Sequence, residues 1–300
     1  MCPDLFDQLT SILGRTQATL WYHQHQGPVP PTSGRNNHSE AYVSDIWHGS
    51  VAKEWKTTFK PGSSTVTWFT TPLVFEIFFI LFLDGFQPFE GTNYTCTALF
   101  LSLANLPPDQ RRLGHNLILV SLIPGSHQRG RHNHNGDSSK HPSLTESDVF
   151  HRLLDPLISC LEELFTGKIL NIYDQTDKQM KPTVVHAILG LVSCDEPATR
   201  TLLGFAHHSS NKHFCSKCHC TRCQNMASRV EGMDEFGKFS RFFDTVTDAT
   251  ASERGEAWLE CKTAAARNAH VTEFGFRWSP FTKLPYVGLI SIHRYVDGGT

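Results

Sequence analysis

No run of apolar residues in the chain approaches the roughly 20 that a helix needs to cross a bilayer. The longest, Val74 to Leu83, is interrupted by Glu76, so no transmembrane segment is expected. A basic excess is missing too. Twenty-seven Lys and Arg stand against 29 Asp and Glu, for a formal net charge of −2; this removes the overall signature of an autonomous nucleic-acid binder and leaves only local patches. Met1 to Gln8 carry Asp4 and Asp7 and no basic cluster ahead of an apolar core, so they do not read as a secretory signal, and an intracellular protein is expected. The nine cysteines are an odd count, and four of them crowd between Cys215 and Cys223. In a reducing compartment that crowding favours metal binding over a disulfide frame.

What is present suffices for a globular protein: 300 residues at 39% hydrophobic content bury a real core, in one large or two modest domains. Asp4 to about Leu20 carries Leu5, Phe6, Leu9, Ile12 and Leu13 at helical spacing. Gln26 to Ser39, with Pro28, Pro30, Pro31 and Gly34, reads as a flexible connector. Asp45 to Phe59 suits a short helix. Phe75 to Leu83 is aromatic and aliphatic in the way of a strand buried on both faces, stopped by Gly85 and Pro88. That strand delivers Asp84 to its mouth, where a hydrated metal ion or a substrate has access. An Asp-Gly turn with no further role is the competing reading of the same residues.

Cys96 to Ala104 and Asn116 to Ile123 are further apolar runs, and the second reads as a strand that Pro124 and Gly125 end. Between them Arg111 and Arg112 form a basic pair in a turn, readable as a solvated corner or as a phosphate clamp. His127 to His141 is a His-rich polar loop without regular ligand spacing. Val149 to Phe165 has a wide apolar face at helical period, with a break or restart at Asp155-Pro156 and a stop at Gly167. Thr183 to Val192 is a second β-branched strand, ending on Ser193-Cys194-Asp195-Glu196-Pro197. Asp195 and Asp84 meet if the two strands are neighbours. Ala251 to His270 reads as a helix with Ala257, Trp258, Cys261, Ala264 and Ala265 on one side. Arg277-Trp278 suits either a core-closing aromatic or a base-stacking pair.

His213 to Cys223 holds two Cys-x-x-Cys pairs separated by one residue. Zinc takes four N or S ligands in a tetrahedron, and one Cys-x-x-Cys turn supplies two. So short a gap leaves little backbone to wrap four thiolates around one ion. Cys215 and Cys218 therefore read as a half-site completed from elsewhere, with Cys220 and Cys223 as alternative ligands. A run of reduced surface thiols is the plainer alternative.

Seven landmarks occur in order: Asp84-Gly85-Phe86-Gln87-Pro88-Phe89, Ala104-Asn105-Leu106-Pro107-Pro108, Leu122-Ile123-Pro124-Gly125, Leu154-Asp155-Pro156-Leu157, Cys194-Asp195-Glu196-Pro197-Ala198, Gly204-Phe205-Ala206-His207-His208-Ser209-Ser210 leading into Cys215 and Cys218, and Arg277-Trp278-Ser279 with Leu284-Pro285-Tyr286. Their succession, over residues 43 to 293, resembles the CACTA-type (En/Spm-like) transposases. The resemblance implies an α/β fold, an RNase H-like mixed sheet flanked by helices with a Cys-rich insertion. It also implies a nuclear, transposon-derived protein whose family cleaves and joins DNA at transposon ends with Mg²⁺ or Mn²⁺, and it suggests self-association. Its layout would be an N-terminal helix and linker over 1–42, the first part of the core over 43–200, a Cys-rich helical insertion over 201–270 and the remainder of the core over 271–300. Asp84 and Asp195 match the first two acidic positions as catalytic metal ligands, and Cys215 and Cys218 match the Cys-x-x-Cys insertion, with Zn²⁺ as their metal and His293 as a further ligand. Arg111, Arg112, Arg277 and Trp278 are the candidate nucleic-acid contacts.

The chain departs from that pattern near its end. The family's third acid lies close to an Asp-x-x-His stretch, and here His293 stands while the acidic positions are Ile290 and Tyr295. Glu273 precedes the Arg-Trp-Ser landmark and Asp297 is out of place. An isoleucine removes both a ligand and its charge, so a partial or degenerate copy is expected. A zinc-stabilised module that binds a protein or a nucleic acid without catalysis is the alternative.

Overall fold

The computed structural model describes residues 4–25, 75–91, 96–124, 146–213, 215, 216, 218 and 246–287. The connector at Gln26 to Ser39, the Asp45 to Phe59 segment, the His127 to His141 loop, Cys220, Cys223, His293 and Asp297 lie outside the described residues. The architecture is α/β. Helix α1 (Leu5–His25) precedes strands β1 (Phe75–Phe86), β2 (Cys96–Leu103) and β3 (Leu117–Pro124). Helix α2 (Glu146–Thr166) leads to strands β4 (Lys168–Asp174) and β5 (Gln179–Cys194), followed by helices α3 (Glu196–Leu203), α4 (Asp248–Glu260) and α5 (Ala264–Phe274). The five strands form one mixed sheet in the order β3-β2-β1-β5-β4, with β4 and β5 antiparallel. No helix among the described residues is long and apolar enough to cross a membrane.

The chain divides into two compact units that alternate along the sequence: Met1–Phe82, Leu99–Leu122 and Ser159–Gly190 form the first, and Leu83–Ala98, Ile123–Ile158 and Leu191–Thr300 the second. In the first unit the continuous apolar runs do what their composition requires. Ile77 to Leu81 of β1 are buried in succession, as are Ala187 to Leu189 of β5, because both strands have neighbours in the sheet and cover on both faces. Cys96–Leu103, a plain apolar run in sequence, is a strand beside β1. The Asn105 side chain extends that pairing by one step: its Oδ1 accepts the Phe78 N–H at 2.8 Å and its amide donates to Glu76 O at 2.9 Å. The turn after it is locked by Arg111, whose Nε donates to Ala104 O at 3.0 Å, and by Ser102 Oγ, which donates to Arg111 O at 2.7 Å.

Edge strands invite pairing with foreign chains unless something covers them. Here α1 contacts both. Gln8 acts as a one-residue strand mimic against β3, its Oε1 accepting the Leu119 N–H at 3.0 Å and its Nε2 donating to Leu119 O at 3.2 Å. Further along the helix, Gln175 Nε2 donates to Gly14 O at 2.9 Å, and Lys168 Nζ sits 4.8 Å from the Phe6 ring centre, which fastens α1 to β4 and its turn. Gly14 permits the close approach, since a Cβ there would stand 3.3 Å from Tyr173 Cβ. The apolar positions Leu5, Leu9, Ile12 and Leu13 are all buried, so the helix predicted from their spacing is a packing element that also shields strand edges.

Several expectations are corrected. Strand β1 does not stop at Asp84 but runs to Phe86, and Gly85 has no left-handed φ; the chain turns later, with Gly91 at φ 73°. Pro156 does not break α2, because the surrounding buried face (Leu154, Leu157, Ile158, Leu161, Leu164) carries the helix through one missing hydrogen bond. The span 251–270 is two helices, since Thr263 caps a new one by accepting the Ala266 N–H at 3.1 Å. The buried face of α4 is accordingly Ala251, Gly255 and Trp258, while Ala257, Ala264 and Ala265 are exposed. Strand β4 was missed because its register alternates buried Leu170 and Ile172 with exposed Ile169, Asn171 and Tyr173 over only seven residues.

Replacing Gln8 with Ala removes both bonds to Leu119. The variant is expected to lose about 1–2 kcal/mol of stability, read as a lower urea midpoint at unchanged slope. An unchanged midpoint would show that the Gln8 contact contributes nothing.

Candidate functional site

The site is built in the second unit from the last residues of two strands. Leu83 of β1 donates its backbone N–H to Cys194 Sγ of β5 at 3.2 Å. The strands are neighbours in the sheet and this bond ties their carboxyl ends, so β1 and β5 run in the same direction. Each strand places an aspartate one residue past the bonded pair, Asp84 on β1 and Asp195 after β5, and both are exposed. The Cys194 thiol registers their proximity. Burial pushes it up to about 12, the Leu83 N–H opposes this, and the charges of Asp195 and Asp84 both add to it.

The two carboxylates are held differently. Asp195 is the N-cap of α3: its Oδ1 accepts the Ala198 N–H at 2.8 Å, its backbone carbonyl accepts the Thr199 N–H at 2.9 Å, and Pro197 occupies the first turn. One oxygen is thus engaged by the helix. The signal was legible, since Asp-Glu-Pro after an apolar strand is a helix start. The Asp84 side chain has no hydrogen bond or ion pair among the described residues, and neither aspartate is paired with a Lys or Arg among them. Glu196, beside Asp195, is paired instead with Arg200.

Arg200 organises the next segment. Its buried guanidinium donates to Ala206 O at 3.0 Å and to His213 O at 3.3 Å, which fixes the loop that leads to Cys215. Gly204 ends α3 at φ 77°, and a Cβ there would lie 2.5 Å from Arg277 O. That closeness lets the chain pair with a distant partner: Ala206 N–H donates to Gly275 O at 2.8 Å, Arg277 N–H to Gly204 O at 2.6 Å, and the Phe205 and Phe276 rings meet edge to face at 5.5 Å. Ser279 Oγ then donates to Leu202 O at 2.7 Å from a fully buried position. The Gly-Phe-Ala and Arg-Trp-Ser landmarks are therefore two halves of one structural joint.

Cys215 and Cys218 line one small cavity with His213, Arg200, Arg254 and Phe276. Cys218 is buried and Cys215 half-buried, with no disulfide between them. His213 donates from Nε2 to Glu273 O at 3.0 Å, and burial, the largest influence, lowers its imidazole from the ordinary 6.5. Among the described residues no group of three or more His, Cys, Asp or Glu side chains is placed to hold a metal ion. The two aspartates suit a hard divalent cation as oxygen donors, but they form a pair and not a complete ligand set.

The basic candidates separate. Arg111 is 7% exposed and holds the turn after β2, whereas Arg112 is exposed. Arg277 Nη1 donates to Phe205 O at 3.2 Å. Trp278 packs on Ala206, Trp258 and Val271, with Lys283 Nζ 5.5 Å from its ring centre, the core-closing role. The residue that sequence reasoning missed is Cys194, whose type alone gives no sign that a backbone N–H from another strand would end on its sulfur.

No protein-family model matches the chain, and no curated protein matches it. The site therefore rests on its own geometry.

The His213 imidazole binds its proton less readily folded than unfolded, so the unfolded state takes up more protons as the pH falls through the 6.5 region. Stability present above that value is lost as the pH drops towards the lowered folded value. His213→Gln is expected to flatten this part of the stability profile, measured as urea midpoints between about pH 5 and 8. A profile as steep as that of the unmodified protein would assign the dependence to other groups.

Proposed function

We propose that the chain is a transposon-derived protein of the DDE/D type, related to the CACTA (En/Spm-like) transposases, with an RNase H-like core and a Cys-rich insertion. One observation carries the reading: neighbouring strands are tied at Leu83 and Cys194, and each carries an exposed aspartate at the next position, Asp84 and Asp195, neither paired with a Lys or Arg among the described residues. The sheet order adds support, because β5 joins the free side of β1 beyond the β3-β2-β1 strands and so makes the junction. The ordered landmarks of the sequence supply the family, and a DNA substrate and a nuclear location follow from it.

In this reading Asp84 and Asp195 hold Mg²⁺ or Mn²⁺ through carboxylate oxygens. Such ions, when bound, activate an attacking oxygen and stabilise a leaving one in phosphoryl transfer. The residues themselves do two things. Asp195 is oriented by the first turn of α3, with one oxygen committed to the Ala198 N–H. Asp84 projects from a strand anchored by its buried residues Ile77 to Leu81. With Ile290 and Tyr295 where the family carries acidic residues, the protein is a degenerate copy that does not join strands.

Mn²⁺ titration followed by electron paramagnetic resonance tests the reading. Unmodified protein is expected to bind Mn²⁺, and Asp84→Asn and Asp195→Asn each to weaken binding by about tenfold or more, with strand transfer on a plasmid target absent throughout. Binding unaffected by either substitution would overturn it.

A second reading is favoured by Cys215 and Cys218 lining a common cavity: a zinc-stabilised module that binds a protein or nucleic acid. Zinc stoichiometric with the chain and lost in Cys215→Ser and Cys218→Ser, together with Mn²⁺ binding indifferent to Asp84, would select it.

A further inference from the structure

The N–H of Leu83 has a side chain for a partner where a strand ordinarily offers a carbonyl. The reason lies on β5. The Cys194 carbonyl accepts the Thr199 hydroxyl at 3.3 Å, and the chain turns at Asp195 into α3. Past that residue the polypeptide leaves the strand to cap a helix, while β1 continues for three more residues, Asp84 to Phe86, all exposed. The two aspartates therefore sit where strand pairing is giving out. Cys194 bridges this gap: its carbonyl reaches the first turn of α3 and its sulfur reaches the backbone of β1. A neutral thiol also accepts the N–H without adding a charge beside two carboxylates.

We propose that Cys194 is a positioning residue for the Asp84 and Asp195 pair, its sulfur fixing the offset between the two strand ends and hence the separation of the two carboxylates. It touches no cation and no substrate; it acts through the backbone of Leu83 on one side and through Thr199 and the α3 turn on the other. This rests on the metal-binding reading given above and names the device that sets its geometry. Residues that orient metal ligands without binding the metal contribute about 10- to 100-fold in affinity.

The test is Mn²⁺ affinity of the whole chain by electron paramagnetic resonance, with thermal unfolding run in parallel, for Cys194→Val, Cys194→Ala and Cys194→Ser. Valine fills similar space with no acceptor, alanine removes the acceptor without adding bulk, and serine restores one. The expected result is a loss of about tenfold or more for Val and Ala and a recovery to within about threefold for Ser, at unfolding temperatures that do not follow the same order. Val or Ala binding as tightly as the unmodified protein, while Asp84→Asn abolishes binding, would overturn the role of Cys194 and leave the metal site standing. If neither Val nor Ala folds, Ser decides, and a tenfold loss in Ser would overturn the proposal. Unmodified protein that binds no Mn²⁺ through Asp84 would overturn both.

Discussion

The candidate site depends on one constraint: two long apolar strands are neighbours in the sheet and are tied near their carboxyl ends. Burial holds β1 and β5 in place, since Ile77 to Leu81 and Ala187 to Val192 are covered throughout. The Leu83 to Cys194 bond then sets where the ordered part ends. Two carboxylates far apart in sequence are carried to the ends of neighbouring strands by the same packing that makes the core. The carboxyl ends of strands are a common position for ligands in α/β sheets for this reason.

Around that junction the chain uses side chains to finish what backbone pairing leaves undone. Asn105 lengthens the β1–β2 ladder, Gln8 stands in for a strand at the β3 edge, Asp195 caps α3, and Arg200 collects the carbonyls of the loop that follows. Each satisfies backbone groups that would otherwise be stranded at an edge, a helix end or a bend. Several fall within the sequence landmarks, which gives those short motifs a physical content: Ala-Asn-Leu extends a strand, Cys-Asp-Glu-Pro ends one strand and opens a helix, and Gly-Phe-Ala pairs with the segment around Arg277.

The sequence showed the parts whose signal is dense. The uninterrupted apolar runs of β1 and β5 announced buried strands, and the wide apolar face of α2 announced a helix that even Pro156 does not break. The two aspartates were readable as residues delivered to strand ends. Short alternating β4 was not legible, because seven residues with two buried positions carry little periodicity. The division of 251–270 hinged on a single threonine cap, and the burial of Arg111 depended on carbonyls brought near by a turn. Cys194 belonged to the same class: its partner is a backbone N–H, which every residue has, so no residue type could mark it.

The most direct test of the shared site is a crystal structure of the protein soaked in Mn²⁺, with anomalous scattering used to locate the ion. The account predicts a manganese peak held between the carboxylates of Asp84 and Asp195, beside an intact contact from Leu83 to Cys194. A map with the two carboxylates turned apart, or with manganese bound only elsewhere, would contradict it.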